Sequence, residues 1–226
     1  MNRLLILRPQ PGADETAARA RALGLDPVVT PLFTVRPLPW AAPDLDEFEA
    51  VMLTSANAAR HGGDQLRTLI DIPCAAVGEA PAAAAESAGF REIRVGPEDG
   101  VALLMTMEAD GIATALHLCG ADHLSFEPAE IRIRRIPVYK AEAVAGLPEA
   151  AEAALESNAV ALLHSPRAAR LFAGLVRDRS RIGVVAISAR TARAAGEGWR
   201  TLAVAPRPRD EALRELAAKL CQTDAR

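Results

Sequence analysis

Short hydroxyl and basic side chains recur directly after the apolar runs of this chain, and groups of that kind bind anions. Arg8 follows residues 4–7; Thr54, Ser55 and Asn57 follow residues 50–53; Gly78 follows residues 74–77. Farther on stand Cys119 and Gly120, then Ser165 and Arg167, then Ser188, Arg190 and Thr191. Hydroxyls, unpaired backbone amides and a few guanidinium groups suit a ligand that carries several negative charges. Each has a plainer use as well. A Ser or Thr ahead of a helix serves as an N-cap worth about 1 kcal/mol, Gly78 fits a tight turn, and Arg60 and Arg170 fit solvated helix faces.

Tyr139 is the only tyrosine in the chain. A phenol, with an ordinary pKa of about 10, can donate a hydrogen bond or a proton to a departing hydroxyl at neutral pH. Its plainer use is as a strand residue with an amphipathic tip. His117, Cys119 and His123 form an HxCxxxH string, but Ala115, Leu116 and Leu118 interleave with them as in a short strand, so no metal site is expected. Cys74, Cys119 and Cys221 are odd in number and lack a CxxC pair, which fits reduced thiols. There is no Walker A sequence, no GxGxxG after a strand and no GxSxG, so nucleotide binding and the usual serine hydrolysis find no support. The acidic runs at 44–49 and 108–110 lack calcium-loop spacing.

The elements that must position these groups follow from a duplication. Residues 53–60 (LTSANAAR) match residues 163–170 (LHSPRAAR) at an offset of 110, with five of eight positions identical. At the same offset Ala75-Ala76-Val77-Gly78 meets Val185-Ala186-Ile187-Ser188, and Ala102-Leu103 meets Ala212-Leu213. Gly89 and Pro97 match Gly198 and Pro206 at 109. Recurrence at one offset raises the case for a functional use of Ser55 and Ser165 beside capping. Each copy reads as three strands alternating with helices. In the first copy the strands fall at 50–53, 74–77 and 92–95, and in the second at 159–163, 183–187 and 201–205. Short apolar strands alternating with helices indicate α/β architecture, with parallel sheets covered on both faces.

Two smaller units remain. Residues 4–7 open a strand, loop and helix ending near Gly24, followed by a strand through 30–33; residues 115–118 open a similar unit ending at 136–139. The order is small, large, small, large, and the pattern alone leaves open which small unit joins which large one. The stretches 32–38 and 138–144 are extended in character and sit where the chain would cross between domains, so they are expected to pair as a two-stranded linker.

Bulk properties narrow the partners. The 226 residues carry a net charge of −3 and are 50% hydrophobic but only 4% aromatic, so the cores must be built from Ala, Leu, Val and Ile. A pI near 5.9 gives no basic field for nucleic acid or an anionic membrane surface. The apolar run at 4–7 is too short for an export signal or a membrane span, so a cytoplasmic protein is expected.

Together these residues resemble the uroporphyrinogen-III synthase family. The resemblance rests on a first strand ending in Arg8-Pro9, the segment 53–58, Val77-Gly78 with its Ala-rich helix and Gly89-Phe90, Cys119-Gly120, Pro137-Val138-Tyr139, Ser165-Pro166 and residues 191–194. It implies two flavodoxin-like domains joined by a two-stranded ladder, with the active site in the intervening cleft. It also implies the crossed pairing: residues 1–33 with 143–226 in one domain, 38–137 in the other, and 34–37 with 138–142 as linker strands.

The implied reaction closes hydroxymethylbilane to uroporphyrinogen III, inverting the terminal ring and releasing water, without metal or cofactor. The resemblance gives Tyr139 the role of helping the substrate hydroxyl leave. It makes Thr54, Ser55, Ser165 and Thr191 the substrate-facing hydroxyls, and Gly78 with nearby amides a carboxylate donor. Arg8, Gly120 and Ser188 complete the expected binding set. Two departures stand out: Ser188-Ala189 where many members have Gly-Pro, and Ala121-Asp122-His123 where basic residues often follow the glycine. A monomer, with transient contact to the preceding pathway enzyme, is expected. The alternative from another class is a noncatalytic two-domain module that binds a small molecule.

Overall fold

A computed structural model of the chain describes residues 3–97, 99–122 and 130–223. Among these residues the chain forms eleven strands and eight α-helices and divides into two compact units, Met1–Thr34 with Ala143–Arg226, and Val35–Glu142. None of the described helices is long and apolar enough to cross a membrane.

The first unit is built on a five-stranded sheet: β1 (Arg3–Ile6), β2 (Asp26–Val29), β9 (Val160–Leu163), β10 (Gly183–Ala186) and β11 (Thr201–Val204). Its spatial order is β2-β1-β9-β10-β11, with every pairing parallel. Counted along the unit's own strands this is 2-1-3-4-5, the flavodoxin order, and it reverses direction between β1 and β9. Successive residues of a strand face opposite sides. Leu4, Ile6, Val160, Leu162 and Val185 accordingly share one core with Ala13, Ala17 and Ala20 of α1 (Gly12–Ala22) and Leu213 and Ala217 of α8 (Asp210–Thr223). On the other side α5 (Glu149–Glu156) packs on β1, α6 (Pro166–Leu175) on β9, and α7 (Ala189–Ala195) on β10. Phe172 of α6 is wholly buried and stacks on Trp199 at 5.5 Å.

The second unit contains β3 (Phe33–Pro37), β4 (Ala50–Leu53), β5 (Cys74–Val77), β6 (Ile93–Gly96), β7 (Thr114–Gly120) and β8 (Arg132–Ala143) in the order β3-β8-β7-β4-β5-β6. Leaving out the edge strand β3, this is the same arrangement with its first two strands supplied by the end of the segment, and its direction reverses between β7 and β4. Val51, Leu53, Leu116 and Leu118 bury one face with α2 (Ala56–His61) and α3 (Glu79–Ala88). Ala50, Met52, Ala75 and Ala115 bury the other against Leu103, Leu104 and Met107 of α4 (Gly100–Ala109). Each fully buried Leu or Met contributes about 1.5–3 kcal/mol, more than any single cap.

Three details differ from the sequence reading. The second strand of the first small unit forms at Asp26–Val29 rather than at 30–33, because Val28 and Val29 register with Leu5 and Ile6. Pro27, which has no N–H, is tolerated because β2 is an edge strand. Helix α5 had no counterpart in the sequence reading; it buries Ala151 and Ala154, one turn apart, beneath a Glu-rich surface. The stretches 32–38 and 138–144 pair with each other as expected; the difference is that the second belongs to a longer strand. The Leu38 N–H donates to the Val138 carbonyl (2.9 Å) and Arg36 pairs with Glu142 (2.8 Å), so β3 runs antiparallel to β8, and β8 continues into the sheet by parallel pairing with β7.

Gly78 ends β5 with φ +74° and ψ −177°, while Ser188, its counterpart in the repeat, has φ −155° and ψ +162°. Only glycine occupies the first of these regions without strain. Gly78→Ser is therefore expected to destabilise the protein by about 1–3 kcal/mol in urea unfolding although serine is the native residue in the other copy; an unchanged midpoint would contradict this backbone argument.

Candidate functional site

The carboxyl ends of the strands carry the polar groups in both units. In the second unit β7 and β8 are the strands that matter most. Their register shifts between Cys119 and Gly120, so that Gly120 comes to pair with Tyr139, and the Ala121 N–H donates to the Tyr139 carbonyl at 2.8 Å. The Tyr139 ring then lies over Gly120: a Cβ at that position would stand 2.8 Å from Cζ, 2.9 Å from Cε2 and 3.0 Å from Oη. Two residues singled out from sequence are thus one structural feature, a phenol seated on a glycine. The His61 ring packs nearby at 6.3 Å. Burial, and then the adjacent Arg60, lower the pKa of His61 and favour its neutral form.

The hydroxyls are largely committed to local structure. Ser55 caps α2, accepting from the Asn57 N–H at 3.2 Å; Ser165 caps α6, accepting from Ala168 at 3.1 Å. Ser188 caps α7, accepting from Thr191 at 3.3 Å, and shares a 3.0 Å hydrogen bond with the Thr191 hydroxyl. Thr191 is fully buried. Thr54 shares a 2.9 Å hydrogen bond with Nε2 of the buried His117. The Gly78 N–H donates to the Gly96 carbonyl at 3.2 Å, extending the β5–β6 ladder. A capping serine uses its oxygen as acceptor and keeps its O–H for donation, so Ser55 and Ser165 combine capping with a free proton.

In the first unit the structure gathers a cluster that sequence reading did not join. Arg8 lies at the end of β1 and His164 at the end of β9, on either side of the point where the strand order reverses. The His164 Nε2–H donates to Asp210 Oδ1 (2.9 Å), the Thr16 hydroxyl donates to the same oxygen (2.8 Å), and Arg214 Nε donates to Oδ2 (2.8 Å). Arg8 Nη1 is 3.7 Å from Asp210 Oδ1. Burial pushes the Asp210 pKa up, but the hydrogen bonds from His164, Arg214 and Thr16 outweigh it and hold the carboxyl well below the usual range. Burial lowers the pKa of His164 and outweighs the hydrogen bond to Asp210 that would raise it. The arrangement is therefore an ionised carboxylate, a neutral imidazole and two guanidinium groups.

Burial raises the Cys74 thiol to about 12 and, despite Arg135, the Cys119 thiol to about 11, so both stay protonated at neutral pH. His123 of the HxCxxxH string lies outside the described residues. Among those described, no three His, Cys, Asp or Glu side chains converge as metal ligands.

His164 gives the fold a pH dependence whose sign is fixed. Its folded pKa lies below the ordinary 6.5, so the unfolded chain takes up the proton first. Its contribution to stability is complete above pH 6.5 and is lost as the pH falls through the folded value. Urea midpoints are expected to drop between pH 7.5 and 5.5, with a slope from this group of at most about 1.4 kcal/mol per pH unit. His164→Asn should flatten the drop, leaving the part due to His61; an equal drop in the variant would contradict the assignment.

Comparison with known proteins places this geometry in a family. No curated protein sequence matches the chain. Uroporphyrinogen-III synthetase from Helicobacter pylori is similar in structure, with a TM-score of 0.68 at 19% identity over 96% of this chain and 99% of that one. A mutant uroporphyrinogen III synthase from the extremely thermophilic bacterium Thermus thermophilus has a TM-score of 0.50 at 17% identity over 98% and 99% of the two chains. These likenesses establish the fold. The family model described as uroporphyrinogen-III synthase HemD matches residues 14–215, nearly the whole of both units, and the chain belongs to the uroporphyrinogen-III synthase family.

Proposed function

We propose that this chain, a lyase of porphyrin biosynthesis, closes hydroxymethylbilane into uroporphyrinogen III with Tyr139 as the proton donor to the departing hydroxyl. The observation that carries the role of Tyr139 is its seat on Gly120 at the shifted end of the β7–β8 pairing, which fixes the direction of the phenol. In the first step the C–O bond of the hydroxymethyl group breaks, the phenol proton leaves with the hydroxyl as water, and an azafulvene cation remains. The substituted carbon of the terminal ring attacks that cation to give a spiro intermediate. The bond from the spiro carbon to its original methylene bridge then breaks, leaving a second azafulvene cation on the third ring. The terminal ring recloses on it through its unsubstituted α-carbon, which inverts the ring, and the proton lost from that carbon restores the phenol. Donation in the first step alone is worth about 100-fold in rate.

The substrate's eight carboxylates need partners, and we assign them groups at the strand ends. Arg8, the O–H groups of Ser55, Ser165 and Ser188, and the first-turn amides beside Gly78 and Thr191 are donors of the right kind, whereas the Ala121 N–H beside Gly120 is taken by the Tyr139 carbonyl. Thr54, tied to His117, and Thr191, fully buried, act by fixing their neighbours. Holding a flexible bilane in the geometry of inverted closure lowers the barrier by several kcal/mol relative to free encounter. Work as a cytoplasmic monomer, supplied by brief contact with the enzyme that makes the bilane, agrees with the buried free thiols and the modest net charge. No cofactor enters any of these proposed steps, and among the described residues no feature favours a noncatalytic binding module.

The test is to supply freshly made hydroxymethylbilane and separate the porphyrin isomers after oxidation. Isomer III is expected; isomer I alone, as from the uncatalysed reaction, would overturn the assignment. Tyr139→Phe is expected to keep the melting temperature within a degree or two and to lower kcat about 100-fold. Unchanged turnover would leave Tyr139 a packing residue.

A further inference from the structure

Arg8 is held in a way a solvated surface guanidinium is not. Its Nη1 lies 3.5 Å from the Thr16 hydroxyl and 3.7 Å from Asp210. Gly12, the first residue of α1, lies directly against it: a Cβ there would stand 2.5 Å from Nη2, 2.6 Å from Cζ and 2.7 Å from Nε. The whole guanidinium group thus rests on the start of the helix, in a place only glycine leaves open.

The charges around it do not cancel. The Asp210 carboxylate already accepts from Thr16, His164 and Arg214. Arg214 is its close ionic partner and is almost wholly enclosed, with 8% of its side chain exposed, while the Arg8 side chain is 34% exposed. With His164 neutral, two guanidinium groups face one carboxylate, and the surplus positive charge is the one on Arg8 that solvent can reach. Its contacts with Thr16 and Asp210 both run through Nη1, which leaves the Nη2 and Nε edge for a bidentate carboxylate.

We infer that Arg8 is a preset receptor for one substrate carboxylate and that Gly12 and Asp210 are the positioning residues that set it, an inference that rests on the cyclase reading above. Gly12 gives the cleanest probe. In Gly12→Ala the three atoms nearest the new methyl all belong to the end of the flexible Arg8 side chain, so the guanidinium must swing away, while the helix gains from alanine at its first turn.

The experiment measures KM and kcat for hydroxymethylbilane, with melting temperatures, for wild type, Gly12→Ala, Arg8→Ala and the double variant. Gly12→Ala is expected to melt no lower than wild type and to raise KM about ten-fold with kcat preserved, the signature of a lost uniform binding contact. Arg8→Ala should raise KM as much, and the double variant no further. Wild-type KM in Arg8→Ala would overturn the receptor. Raised KM in Arg8→Ala but not in Gly12→Ala, or a Gly12→Ala effect that persists in the Arg8→Ala background, would overturn the positioning role. Failure of the cyclase reading shows separately, as isomer I from the wild-type enzyme.

Discussion

A parallel strand covered on both faces has room for polar side chains only at its ends, and most of this molecule follows from that constraint. Leu4, Leu5, Ile6, Val51, Met52, Leu53, Leu162 and Leu163 are all fully buried. Sequences of this kind cannot place a carboxylate or guanidinium in mid-strand, because an unpaired buried polar group costs about 1–3 kcal/mol, as much as burying a leucine returns. His117 is the exception that a partner permits: it is wholly buried in the middle of β7 and shares a hydrogen bond with Thr54, just past the end of β4. Chemistry is displaced to the carboxyl ends, where helix first turns add backbone N–H groups.

At those ends, each unit uses a glycine in the same way. Gly120 leaves space for the Tyr139 ring, and Gly12 leaves space for the Arg8 guanidinium. Neither glycine has positive φ; what matters is the missing side chain, which lets a long functional group lie flat on backbone instead of moving through its rotamers. Side-chain freedom lost in folding is freedom that binding no longer has to remove. Conversely, the glycines with positive φ serve turns: Gly78 leads from β5 into α3, and Gly24, Gly89 and Gly111 lie where a helix gives way to a strand.

The alternation of strands and helices, and the Ser caps at 55 and 165, were legible in the sequence because they depend on short-range pattern and on a repeat that occurs twice in one chain. The Asp210 cluster was not legible. It joins residues 8, 16, 164, 210 and 214, and nothing local distinguishes Asp210 from an ordinary acidic residue in the first turn of a helix. Its one visible signal was position: His164 stands where the first copy has Thr54, and both turn to a partner from another element. Strand β8 starts earlier than the strand expected at 136–139: Ile131 and Ile133 alternate with Arg132 and Arg134 and pack into the core, a period-two pattern that the Arg134-Arg135 pair interrupts. Pairing the small units with the large ones needed information that no local pattern contains.

The central claim is that Tyr139 acts chemically in a pose that Gly120 sets. A double-mutant cycle on turnover, with melting temperatures to confirm folding, tests it most directly. Gly120→Ala is expected to slow the enzyme about ten-fold when Tyr139 is present and to change little in the Tyr139→Phe background, so that the coupling between the two equals nearly the whole single-variant effect. Independent, additive losses would contradict the account, because the glycine would then be serving the fold and not the phenol.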